Sequence, residues 1–215
     1  KNIVQKDMKE AGLNLRKPEA VTSWLRSYAA ATSTTSTWET IRNASSPGEK
    51  TPARSTIKPY IEVLQMLRIV EEVPAWLPGN NRFQSLIQTP KHHLVDPALA
   101  ARISGMTIKK LITPGRAKGV LPLDGTFLGA LFESLVTLTA RVFAQNYNAQ
   151  VFHLRTREGR QEVDLIIESE DGQILGIEVK LSPTVKDDDV KHLLWLKNNA
   201  KAKISDLVVI TTGNT

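Results

Sequence analysis

The chain reads as an α+β/α/β protein in two parts, a winged helix-turn-helix over residues 1–90 and an α/β module over residues 126–215, joined by a connector at 91–125. Three observations predict this. Three short helical patterns precede an extended run near residue 70. A long apolar helical pattern from 126 is followed by three extended runs, a helix and a fourth run. The length of 215 residues, with 41% hydrophobic and 23% charged composition, suits a globular protein of one large or two ordinary domains.

Over residues 18–31 the residues Val21, Trp24, Leu25, Tyr28 and Ala29 recur at helical spacing, and Pro18 suits a first turn. The hydroxyl-rich stretch 32–37 supplies a turn and an N-cap for a second short helix, 38–43, which 45–48 (Ser-Ser-Pro-Gly) ends. A third helix is predicted to start at Thr51-Pro52 and to run through Ile57, Tyr60, Ile61, Leu64 and Leu67, with Pro59 bending it. The period then becomes extended over 68–73. A turn at 78–81 (Pro-Gly-Asn-Asn) and an apolar run at 83–87 complete a hairpin, hence the winged helix. Such modules meet DNA near the N-terminal end of their third helix, where this chain carries Arg54, Ser55 and Lys58.

The connector holds Leu94-Val95-Asp96-Pro97-Ala98-Leu99-Ala100 and the basic residues Lys109, Lys110, Arg116 and Lys118. After Gly125 a helix is predicted over 126–146, with Phe127, Leu128, Leu131, Leu135, Leu138 and Val142 apolar and Glu133 among them. Strands are predicted at 151–154, 161–168, 174–181 and 206–211, with a helix at 186–198 whose first turn carries Asp187, Asp188 and Asp189, as the helix dipole favours.

Net charge is +6, unevenly spread: residues 1–123 carry 18 Lys+Arg against 9 Asp+Glu, while 124–215 carry 10 against 13. A basic first half suits contact with a polyanion and an acidic second half suits a cation, while the same excess over 123 residues equally fits ordinary surface charge. No uninterrupted apolar run approaches 18 residues and no basic-then-apolar leader is present, which argues against a membrane or secreted factor. The lack of cysteine fits a reducing, cytoplasmic setting. A start at Lys1 suggests an excised fragment.

The chemistry concentrates in two runs, Glu162-Val163-Asp164-Leu165-Ile166-Ile167 and Gly176-Ile177-Glu178-Val179-Lys180, separated by the turn signal Asp171-Gly172. Alternation puts Glu178 and Lys180 on one strand face and Ile177, Val179 and Leu181 on the other. A hairpin brings Asp164 beside them. Asp164 and Glu178 would hold Mg2+ with several of its waters, and the Val179 carbonyl would add an oxygen. Lys180 would help deprotonate water or neutralise charge building on a phosphate. Glu133 would supply a third carboxylate, and Glu162, on Asp164's face by alternation, would assist. An isolated Glu-x-Lys is ordinarily just the polar side of an amphipathic strand; the additional carboxylates make the set more specific. His92 and His93 lack metal-site spacing to His153 or His192 and read as structural, Trp195 and Leu196 read as core, and His192 is placed to face the site.

The element order, with Glu133, Asp164 and Glu178-x-Lys180, resembles the PD-(D/E)XK nuclease fold of restriction endonucleases and Holliday-junction resolvases. The stretches Lys91-His92-His93-Leu94-Val95-Asp96-Pro97, Gly129-x-x-x-Glu133-Ser134-Leu135-Val136, Glu162-Val163-Asp164, Ile177-Glu178-Val179-Lys180 and Val209-Ile210-Thr211-Thr212-Gly213 are similar, as a set, to the uncharacterised C-terminal region of prokaryotic AAA+ ATPases. The similarity spans about residues 15–213. It implies a restriction-endonuclease-like, three-layer domain with a central mixed sheet, Mg2+ (or Mn2+) as cofactor, DNA as partner, and an N-terminal AAA+ ATPase domain in a longer protein, and it allows a homo-oligomer. Val163 stands where that pattern has proline, a change that spares the carboxylate. No Gly-x-x-x-x-Gly-Lys-[Ser/Thr] loop occurs, so no ATPase activity is expected of this chain. The expected function is a Mg2+-dependent DNA endonuclease; the competing expectation is a catalytically silent module that binds DNA or protein.

Overall fold

The computed structural model describes residues 3–12, 18–46, 51, 53–76, 89–112, 126–156 and 159–213. They fall into two compact units: Lys1–Glu72 with His92–Phe127, and Val73–Lys91 with Leu128–Thr215.

In the first unit the three expected helices form as α1 (Pro18–Ala30), α2 (Trp38–Ala44) and α3 (Arg54–Met66). Thr37 caps α2 as expected, its hydroxyl accepting the Thr40 N–H at 3.1 Å. The α3 start differs from the expected one. Its cap position is Ala53, which offers no side-chain oxygen, so Thr51 stands too far back to cap; Pro52 lies outside the described residues. Pro59 sits inside α3 without ending it, and Ile57, Tyr60 and Leu64 bury one side of the helix. The core centres on Trp24, Tyr28 and Trp38, stacked with ring centroids 5.3–6.0 Å apart. The Tyr28 hydroxyl reaches the carbonyls of Glu71 at 3.0 Å and His93 at 3.2 Å, tying α1 to the strands beneath it.

Strand β1 (Val70–Val73) pairs with β2 (Lys91–Leu94). The turn at 78–81 and the apolar run at 83–87, expected as the second arm of the hairpin, lie outside the described residues. The segment read as a connector is structured where it is described: β2 leads into α4 (Pro97–Ile103) and α5 (Ile108–Ile112). Every residue of β2 is buried, so it shows none of the polar–apolar alternation by which a strand is recognised. Asp96 caps α4 by accepting the Ala98 N–H at 2.6 Å, with Pro97 in the first turn. Lys109 and Lys110 lie on α5, whereas Arg116 and Lys118 fall outside the described residues. His92 and His93 are buried structural residues, as expected. The His92 ring donates from Nε2 to the Ser36 carbonyl at 2.8 Å and packs edge-on to Trp38.

The second unit follows the predicted order: α6 (Thr126–Asn146), β3 (Gln150–Arg155), β4 (Glu162–Glu168), β5 (Gln173–Val179), α7 (Asp187–Asn199) and β6 (Lys203–Ile210). The strands form one mixed sheet in the order β3-β4-β5-β6, antiparallel except for the β5/β6 pair. Val136 and Ala140 of α6 pack on Leu165 and Ile177. Leu193 and Leu196 of α7 pack with Val163, Ile166 and Ile174. Gly172, at φ 76°, makes the β4–β5 turn that Asp171-Gly172 signalled. Asp189 accepts the Lys186 N–H at 2.8 Å, so one of the three acidic residues closes the start of α7. Among the described residues one helix, Phe127–Asn146, is long and apolar enough by composition to cross a membrane, with mean hydropathy 1.5. Leu196 is fully buried, and Leu196→Ala is expected to lower stability by about 2–5 kcal/mol in urea denaturation.

Candidate functional site

Strand β4 carries the irregularity that builds the site. While β3 advances from Phe152 to Leu154, β4 runs from Ile166 to Val163, so Asp164 and Leu165 together stand opposite His153. An extra residue of this kind bends its strand and re-aims side chains. Val163 and Leu165, which strict alternation would put together, accordingly join different apolar clusters. Asp164 turns to β5, and its Oδ2 accepts the Val179 N–H at 2.9 Å. Alternation therefore does not decide where Glu162 points relative to Asp164; both instead converge on one lysine.

That lysine is Lys91. Its Nζ donates to Glu133 Oε1 at 2.8 Å and to Asp164 Oδ1 at 3.4 Å, and lies 3.5 Å from Glu162 Oε1. The side chain is 1% exposed. Burial pulls its pKa down, but the carboxylates of Glu133, Asp164 and Glu162 outweigh burial and the net direction is up, so Lys91 is charged. Burial pushes Glu133 up to about 7, with Lys91 opposing and Asp164 adding to the rise.

Glu178 forms the other side of the cluster. Its Oε2 accepts from Lys180 Nζ at 2.7 Å, while its Oε1 is buried with no hydrogen-bond partner among the described residues. Burial and then the Asp164 charge raise its pKa to about 8, against the pull of Lys180. For Lys180, burial is outweighed by the Glu178 carboxylate, and its pKa rises. The residues expected from sequence, Glu133, Asp164, Glu178, Val179 and Lys180, are thus linked through hydrogen bonds and charge.

Lys91 is the member of this cluster to which sequence reasoning gave no role. The stretch 91–97 was among those that carry the family resemblance, but its run shows no strand periodicity to place the lysine. Gln161 was missed as well: its Oε1 accepts from His192 Nδ1 at 2.7 Å. Burial, then Lys191 and Lys180, lower the His192 pKa, and Glu162 and Asp164 oppose, which puts this ring in the electrostatic reach of the site. His153 is buried opposite the bulge, and burial followed by the Lys91 charge drives its pKa down to about 3. Trp195 and Leu196 are core, as expected.

Arg54, Ser55 and Lys58 belong to the first unit and are exposed on α3. Arg54 pairs with Glu39 at 2.9 Å and Lys58 with Glu62 at 3.7 Å. Exposed pairs of this kind contribute roughly 0–1 kcal/mol, so a stronger anion displaces them readily.

Among the described residues no three His, Asp or Glu side chains form a ready-made metal cage. Mg2+, however, takes one or two carboxylates and keeps its waters. Asp164 and Glu178, with one buried Glu178 oxygen unpartnered, are a hard-oxygen donor set of that kind.

Residues 128–215 match the model of a domain of unknown function (DUF4143). Residues 1–110 match that of a second domain of unknown function (DUF8612). No curated protein and no solved structure matches the chain. With more than half of its residues covered by the second model, the chain belongs to the DUF8612 family, and its C-terminal part is similar to the domain of unknown function DUF4143.

Proposed function

We propose that residues 126–215 form a Mg2+-dependent DNA endonuclease domain of the PD-(D/E)XK type. In this reading residues 1–90 form a winged helix, and the chain is the C-terminal region of a cytoplasmic, nucleic-acid-processing AAA+ ATPase. The observation that carries the proposal is the buried Glu178 carboxylate, with one oxygen unpartnered among the described residues and the other held by Lys180 at 2.7 Å, close enough to Asp164 for its charge to be felt. Asp164 and Glu178 would hold the ion, with the Val179 carbonyl and Glu133 as further oxygens. A bound Mg2+ would supply Lewis acidity toward a phosphodiester and lower the pKa of a water. Lys180 would place its ammonium against the phosphate, and the Val179 N–H keeps Asp164 oriented. Incubation with supercoiled, linear, single-stranded and branched DNA, in Mg2+ or Mn2+ and with EDTA, tests this. Cleavage that EDTA stops is the expected result.

The second reading, a silent module that binds DNA or protein, is favoured by Lys91, whose ammonium already sits among the carboxylates. DNA retention without cleavage in either metal supports it. For the first unit, Arg54→Ala with Lys58→Ala is expected to weaken DNA binding and flatten its salt dependence by about one unit per lost phosphate contact. Fluorescence anisotropy at several salt concentrations measures this, and an unchanged slope removes α3 from the DNA interface.

A further inference from the structure

The geometry points to Lys91 as a resident counter-ion that competes with the divalent cation for the carboxylates, so that this lysine sets how tightly the site takes metal. The inference rests on the metal-binding reading above and concerns its regulation. Lys91 contacts Glu133 at 2.8 Å, Asp164 at 3.4 Å and Glu162 at 3.5 Å while 1% exposed. Three carboxylates gathered around one point repel one another unless a cation sits between them. The ammonium supplies that charge when no metal is present and holds the side chains in place.

The same charge acts against metal. Asp164 has both oxygens engaged, Oδ1 with Lys91 and Oδ2 with the Val179 N–H. A cation arriving at Asp164 meets the positive charge of Lys91 in a site screened little by water. Lys180 differs: it pairs with Glu178 at 2.7 Å from a less buried position, at 31% exposure. The two lysines thus divide the work, with Lys91 fixed as counter-ion and Lys180 available to substrate.

Mn2+ binding to the full chain, counted as free Mn2+ by electron paramagnetic resonance, tests the inference with a readout independent of cleavage. Lys91→Met keeps length and apolar stem but removes the charge. It is expected to bind Mn2+ at least about tenfold more tightly than the parent, as loss of a like charge near an ionic site does. Mn2+ is also expected to raise its melting temperature more than the parent's, and Glu178→Gln in the Lys91→Met background is expected to cancel the gain. Because unpaired carboxylates threaten folding, Lys91→Met with Glu162→Gln removes one charge of each sign while keeping the proposed ligands; circular dichroism checks its fold, and it too is expected to bind more tightly than the parent. Equal or weaker Mn2+ binding in these variants overturns the counter-ion role while leaving the metal site standing. No binding in the parent or in any variant overturns both, because the carboxylates then hold no metal even with the lysine gone.

Discussion

Glu178→Gln is expected to lower metal-dependent cleavage by roughly 10²–10³-fold, the loss seen when one preorganised charged or hydrogen-bonding group leaves an active site. At the same time it is expected to make the metal-free protein more stable. The Glu178 carboxylate is buried, one oxygen has no hydrogen-bond partner among the described residues, and burial and Asp164 raise its pKa to about 8. A carboxyl whose folded pKa is raised contributes its full relative stability below its unfolded value near 4.5 and loses it as pH rises through the folded value. The parent therefore weakens between about pH 4.5 and pH 8, and the neutral glutamine does not follow that part of the trend. Near pH 8 the variant is expected to gain about 1–3 kcal/mol in urea denaturation. Lost cleavage with lost stability would falsify the view that this carboxylate is held against its own preference for function.

The second large effect is acid destabilisation of the first unit through His92. Burial lowers its pKa to about 4 from 6.5, so the folded state holds the ring neutral. A histidine with a depressed folded pKa gives its full stability above the unfolded value and loses it as pH falls through the folded value, a window here from about pH 6.5 to pH 4. The loss amounts to roughly 3 kcal/mol by pH 4. Glu72, near His92 and itself raised by burial, works in the opposite sense and trims the effect. Trp38 packs on the ring at 4.6 Å, so in a chain carrying Trp76→Phe and Trp195→Phe tryptophan fluorescence in urea at pH 7 and pH 4.5 follows this unit. His92→Gln is expected to lose stability at pH 7 and to show a flatter dependence on pH. A parent equally stable at both pH values would remove His92 as the acid-sensitive group.

Much of the second unit was legible in the sequence because its signals are local. The alternation in β4 and β5, the Asp171-Gly172 turn and the helical period of α6 each lie within one stretch of chain, and the elements formed in the predicted order. The α1 and α2 periods and the Thr37 cap were legible for the same reason. Glu133, Asp164, Glu178 and Lys180 could be picked out because charged residues within apolar runs stand out by composition alone.

What the sequence by itself determined is therefore the kind and order of the elements from α6 to β6 and the residue types that make the acidic cluster. Tertiary structure alone decided what balances that cluster. Lys91 comes from a four-residue strand with no periodicity, 42 residues before Glu133 and 73 before Asp164, and only folding brings its ammonium to their carboxylates. The extra residue at Asp164–Leu165 was equally invisible, since a bulge is a property of two paired strands and not of either one. Periodicity reports which way a side chain points along its own strand; which charge meets it across the fold depends on contacts distant in sequence.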